Sequence, residues 1–145
     1  MKFYVATDHA GIDLKDLTVE ILRAKGHEVI DIGPFSKERV DYPDFAVKVC
    51  ESVLKDEGAH GILICGSGIG MSMSANRFHG IRAALCHDAY TATMARAHND
   101  ANVLCYGERV VGAGVAESIV DAWIAGSFEG GRHAGRVEKI EAIEG

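Results

Sequence analysis

A chain of 145 residues, 48% of them hydrophobic, has the length of one domain and ample apolar material for a single core. Twenty-one acidic side chains against 15 lysines and arginines leave a formal charge of −6. That balance excludes a nucleic-acid partner, though a local basic patch can still hold one small anion.

No stretch approaches the roughly 18 apolar residues of a membrane span, so no membrane partner is expected. The opening run meets Asp8 too early for a signal peptide, and the expected location is cytoplasmic. Cysteines at 50, 65, 86 and 105 fall one per predicted element without a Cys-x-x-Cys pair. They read as reduced thiols rather than disulfides or a structural zinc site.

Strand-like and helix-like segments alternate along the chain. Phe3–Thr7 is a first strand, and Asp8-His9-Ala10-Gly11 turns into a helix with Ile12, Leu14, Leu17, Ile21 and Leu22 on its apolar side, ended by Gly26. Glu28–Asp31 is a short second strand, and Gly33–Pro43 is the longest irregular connection. A second helix begins at Pro43 or Asp44, carries Phe45, Val49 and Val53, and closes near Gly58.

The apolar run Gly61–Cys65 is a buried strand passing directly into Gly66-Ser67-Gly68-Ile69-Gly70, then into a helix with Met71, Met73 and Ala75. Glycines there let bare N–H groups approach a ligand while the helix start points its positive end at the same place, an arrangement suited to an anion. Cys65 stands at the strand's carboxyl end, where ligands settle in open parallel sheets, and the helix start should favour its thiolate. The alternative is a small buried hydrophobe in a ligand-free turn. No Gly-Lys-Ser or Gly-Lys-Thr closes the loop, which excludes a Walker A site, and the third glycine comes one position early for a dinucleotide fingerprint.

Arg82–Cys86 is a fourth strand, Asp88 caps a helix running to His98-Asn99, and Asn102–Tyr106 is a fifth strand. Gly112–Ala125 is a crossover helix with Val115, Ile119, Val120 and Trp123 on one side. The expected fold is α/β: one domain over 1–145, a Rossmann-like, doubly wound parallel sheet of about five strands between two helical layers. The tail, 127–145, breaks the alternation as an extra C-terminal helix, with Val137, Ile140 and Ile143 at helical spacing. Such a stripe needs cover, and packing on a partner subunit predicts a homodimer, with packing on its own domain as the alternative. Arg132 and Arg136 share one helical face beside His133; their plain alternative is pairing with Glu129 or Glu138.

Several of these motifs together resemble the type B ribose-5-phosphate isomerases of the ribose/galactose isomerase family. They are Asp8-His9-Ala-Gly11, Asp41-Tyr42-Pro43, Gly61–Gly70, Ala75-Asn76, Gly80–Ala83, Arg96–Val103, Gly107–Gly112 and Phe128–His133, in order and almost end to end. The resemblance implies an aldose–ketose isomerase interconverting D-ribose 5-phosphate and D-ribulose 5-phosphate through a cis-enediol, in the non-oxidative pentose phosphate branch, with no metal and no cofactor. Other members act on galactose 6-phosphate or allose 6-phosphate, so a hexose phosphate stays open, as does a non-catalytic phosphosugar- or nucleotide-binding module.

The resemblance also implies roles. Cys65 is the base that moves a proton between the first two carbons, and His98 opens the sugar ring, as an imidazole near pKa 6.5 can do in either direction. Members lacking this cysteine carry a glutamate further along the loop, where this chain has Met71. Amides of Gly66, Ser67, Gly68, Ile69 and Gly70, with the Ser67 hydroxyl, stabilise the enediolate; many members carry threonine for Ser67. Asp8 and Asn99 bind sugar hydroxyls, while His9, Arg109, Arg132 and Arg136 match phosphate-end positions. Asp8, His9, Cys65 and Arg109 all follow strands, whereas His98 ends a helix roughly 16 Å long and belongs near the opposite sheet edge. A second subunit is therefore expected to supply His98 and Asn99 to shared active sites, in a dimer or a tetramer.

Overall fold

The computed structural model describes residues 1–144; Gly145, last residue of the expected tail, lies outside the described residues. Strands β1 (Lys2–Thr7), β2 (Glu28–Gly33), β3 (His60–Cys65), β4 (Ala83–Leu85) and β5 (Val103–Gly107) alternate with helices α1 (Ile12–Ala24), α2 (Tyr42–Lys55), α3 (Ile69–Ala75), α4 (Ala89–Asn99) and α5 (Ala113–Ala125), and α6 (Arg132–Glu141) follows. The strands form one parallel sheet in the order β2-β1-β3-β5-β4. This is the expected doubly wound sheet with its extra helix.

Strand side chains alternate between two helical layers. Phe3, Val5, Ile62, Ile64, Leu104 and Tyr106 join the core under α1, α4 and α5. Ala6, Leu63, Cys65, Val103 and Cys105 join the core under α2 and α3. Ile62, Leu63, Ile64 and Leu104 are fully buried, each contributing roughly 1.5–3 kcal/mol of transfer free energy.

Element ends differ from the expectation where side chains intervene. β2 runs to Gly33, whose N–H donates to Asp31 Oδ1 at 2.9 Å and which pairs with Ala6 past a shift in register. β4, at the sheet edge beside β5, is only three residues long. α2 starts at Tyr42, with Pro43 inside its first turn, where a missing N–H costs nothing. Asp88 caps α4 as expected, its Oδ1 accepting the Thr91 N–H at 2.7 Å. In the tail, residues 127–131 are not helical and Ile143 lies beyond α6.

His60 opens β3 beneath Trp123, whose Nε1–H donates to its Nδ1 at 3.1 Å. Burial, with Arg96 pushing the same way, lowers the imidazole to about 4. An unfolded chain takes up this proton near pH 6.5, so between those values the unfolded state holds more protons and stability falls as pH falls. The cost at pH 5 relative to pH 7 is expected to be about 2 kcal/mol. A His60→Gln chain keeps an acceptor for Trp123 and should lose that part of the slope in urea midpoints; an unchanged slope would contradict this assignment.

Candidate functional site

Register decides what meets at the sheet's carboxyl edge. Thr7 lies opposite Ile64 and Cys65 opposite Gly107, so the turns after β1, β3 and β5 emerge side by side. Between β1 and β3 the chain switches the direction in which it adds strands, the place where open α/β sheets form a ligand crevice. A crevice of about 560 Å³ lies there, lined by Asp8, His9, Cys65, Gly66, Ser67, Ile69, Gly70 and Arg109 among others. Eight of the predicted residues are thus brought together.

Cys65 is 5% exposed, and its Sγ accepts the Gly68 N–H at 3.1 Å. An amide–sulfur bond of this kind is strongest to a charged sulfur. Gly68 can bend back this way because it sits at φ 80, the left-handed region. Ser67 Oγ accepts the Ile69 N–H at 3.2 Å, while the Gly66 and Ser67 amides donate to no other group among the described residues. Two free N–H groups therefore sit beside the thiol.

Asp8 is buried and rigid. Its backbone N–H donates to Ile64 O at 3.3 Å and its Oδ1 accepts the Ala10 N–H at 2.9 Å. His9 is tied to the 33–41 connection, its Nδ1 lying 3.2 Å from both the backbone nitrogen and the carbonyl oxygen of Val40. Arg109 donates its backbone N–H to Gly66 O at 3.0 Å, and its guanidinium reaches back within 3.4 Å of where a Gly66 Cβ would stand.

Apart from Gly68, which bonds Cys65, the remaining predicted residues lie on α4 and α6, away from the crevice. α4 has the expected 11 residues and carries His98 away from the crevice. The His98 ring stacks on His133 of α6, centroids 4.1 Å apart and planes at 11°. Glu129 faces both rings, its Oε1 3.8 Å from each Nε2. Arg132 and Arg136 lie in the same helix as His133, and no carboxylate among the described residues pairs with either of them or with Arg109. Glu129 is thereby occupied with the histidines rather than the arginines. Asn99 borders a separate cavity of about 630 Å³ beside α6, which contains none of the crevice residues. α6 is fastened to its own chain by Glu141, which accepts from the Gly80 N–H and from Arg82, while Ile140 and Ile143 remain exposed.

Tyr42, Met73 and Val110 line the crevice without having been assigned a part. Tyr42 had a signal in Gly70: a Cβ there would stand 2.5 Å from the Tyr42 ring, so glycine is what admits the aromatic to the loop. Met73, 68% exposed, had none, since an apolar residue in a helical run reads as core.

A family model described as Ribose/Galactose Isomerase matches residues 3–140. The chain is 51% identical over 143 residues to ribose-5-phosphate isomerase B of Escherichia coli (strain K12), covering 99% of this chain and 96% of that one. Among solved structures, ribose-5-phosphate isomerase B of Clostridium thermocellum superposes with a TM-score of 0.95 at 52% identity, covering 97% of this chain and 95% of that one. The type B ribose 5-phosphate isomerase of Trypanosoma brucei gives a TM-score of 0.95 at 49% identity, covering 99% and 98%.

Proposed function

The chain belongs to the ribose/galactose isomerase family, and from that premise we propose that it interconverts D-ribose 5-phosphate and D-ribulose 5-phosphate, as the names of its relatives state for them. The observation that carries this reading is the crevice itself, where a thiol, two free loop amides, a buried carboxylate and an unpaired arginine converge on a volume that suits a five-carbon phosphate. Cys65 Sγ as thiolate takes the proton from carbon 2 of the open aldose, and the electron pair moves to the carbonyl oxygen at carbon 1. The resulting cis-enediolate is held by the Gly66 and Ser67 amides and the Ser67 hydroxyl. The hydroxyl proton on carbon 2 passes to the oxygen on carbon 1, and the same thiol returns its proton to carbon 1 as the carbonyl forms at carbon 2. Asp8 orients hydroxyls, and His9 and Arg109 hold the phosphate.

Ring opening must come first, because the aldose is a furanose in solution and its carbon 2 proton is acidic only beside an open carbonyl. His98 gives a proton to the ring oxygen and regains one from the anomeric hydroxyl, so the imidazole ends the step as it began. We assign this step across a homodimer: one chain supplies Asp8, His9, the 65–70 loop and Arg109, and the second supplies His98, Asn99, Arg132 and Arg136. Support comes from the distance α4 imposes, from two unpaired arginines travelling with His98, and from the exposed Ile140 and Ile143 on α6 and beyond. Four buried free thiols and the lack, among the described residues, of any helix long and apolar enough to cross a membrane support a cytoplasmic enzyme of the pentose phosphate branch.

Turnover of ribose 5-phosphate, allose 6-phosphate and galactose 6-phosphate by the purified protein tests the substrate. The pentose is expected to give the highest kcat/KM by at least about tenfold. Preference for a hexose phosphate would keep the chemistry and change the substrate; binding of all three without turnover would leave a phosphosugar-binding module.

A further inference from the structure

His133 carries no role in the reaction as described so far, yet it is one of few polar side chains buried in the molecule. It sits in the first turn of α6, 6% exposed, and its Nε2 has no hydrogen-bond partner among the described residues. A buried nitrogen left unpaired costs free energy that a hydrophobic residue would not incur. What the residue does make is a flat contact: its ring lies face to face with His98, at 4.1 Å and 11°. His98 is the more open of the two, with 37% of its side chain exposed against 8% for His133.

The surroundings keep this contact in one arrangement. Glu129 donates its backbone N–H to Ala97 O at 3.0 Å, fixing its carboxylate beside the last turn of α4, equidistant from the two Nε2 atoms. Burial, then His98 and the arginines Arg132 and Arg136, push the His133 imidazole below the ordinary histidine value, with Glu129 opposing.

Two imidazoles and a carboxylate, with ligand atoms within 4.8 Å of one another, also have the composition of a zinc triad. Stacking argues against that use. Near-parallel rings keep their lone pairs in separate planes, so an ion in the plane of one imidazole lies about a stacking distance off the plane of the other. The cluster is built around ring planes rather than around a point.

We propose that His133 is a positioning residue for ring opening, its buried ring being the surface against which His98 is held in the plane where it exchanges protons with the sugar. The inference rests on the assignment of ring opening to His98. It makes Glu129 the second constraint, closing the edge of the stack so that His98 cannot slide off its support. A proton-transfer group displaced by even about 1 Å loses much of its rate, and a side chain at a helix end has that freedom unless something flat lies beneath it.

Two reactions separate this role from a general one. Ribose 5-phosphate must be opened before it reacts, whereas ribulose 5-phosphate cannot close to a furanose and exchanges a carbon 1 proton with D₂O through the enediolate alone. His133→Ala in the full chain is expected to lower kcat for ribose 5-phosphate at least about tenfold, with KM within about twofold, while leaving deuterium exchange into ribulose 5-phosphate near wild type. His133→Phe keeps a flat buried ring without the unpaired nitrogen, and should recover most of the lost turnover. Wild-type kcat in His133→Ala would overturn the proposal, as would equal losses in both reactions or a His133→Phe chain as slow as His133→Ala. If His98→Ala keeps wild-type turnover of ribose 5-phosphate, the ring-opening assignment itself has failed and takes this proposal with it.

Discussion

Cys65→Ala is expected to lower kcat for ribose 5-phosphate by roughly 10⁴-fold while leaving KM within a few-fold, because it removes the thiol proposed to carry a proton between carbons 1 and 2. Binding is proposed to be spread over Asp8, His9, the Gly66 and Ser67 amides and Arg109, and no hydrogen bond to the Cys65 sulfur comes from any of these. The fold should tolerate it. Cys65 faces the core under α2 and α3 as a small side chain at the end of β3, so alanine leaves a void of about one sulfur atom and an amide of Gly68 without its acceptor. Cys65→Ser separates geometry from acidity: a hydroxyl can still accept the Gly68 N–H, yet a serine is far too weak an acid to serve as a base at neutral pH, and activity should stay near the alanine level. Initial rates across substrate concentration check both variants. A kcat within tenfold of wild type in Cys65→Ala would remove the thiol from the reaction.

The second large effect is one of recovery. Cys65→Ala and His98→Ala homodimers are each expected to be nearly inactive on ribose 5-phosphate, and mixing them with subunit exchange should produce mixed dimers in which one of the two sites is whole. That site draws Cys65 from the His98→Ala chain and His98 from the Cys65→Ala chain; the other lacks both. A statistical mixture should therefore regain about a quarter of wild-type activity, since half the dimers are mixed and each has one working site. The physical reason is the length and direction of α4, whose 11 residues carry His98 from the carboxyl edge, where β4 ends, toward the opposite one. Tagged chains purified as mixed dimers give the measurement directly. No recovery in a verified mixed dimer would place His98 and Cys65 in one chain's site or remove His98 from the reaction.

Five strands and their crossovers were legible because each strand is a short apolar run and each helix carries a clean stripe, from Leu14 and Leu22 in α1 to Ile119 and Trp123 in α5. The gathering of Asp8, His9, Cys65 and Arg109 was legible too, since a residue that follows a parallel strand has one edge to go to. Strand order was not, and neither was the register that sets Cys65 opposite Gly107, because both depend on which crossovers pack where rather than on any local pattern. Tyr42 could be placed only with Gly70 in view, a pair 28 residues apart in sequence (70 − 42) whose fit is a matter of tertiary contact. His133 is the clearest case. Its neighbours Arg132 and Arg136 stand out by charge and spacing, while a histidine stacked face to face on another from a different helix leaves no periodic trace.

Proton NMR of ribose 5-phosphate with the wild-type protein in D₂O tests the central claim, that the crevice beside Cys65 moves a carbon-bound proton. Loss of the carbon 2 proton signal as ribulose 5-phosphate appears, with deuterium entering its carbon 1 and neither change in Cys65→Ala, is the predicted result. Retention of the carbon 2 proton with no ribulose 5-phosphate formed would contradict it.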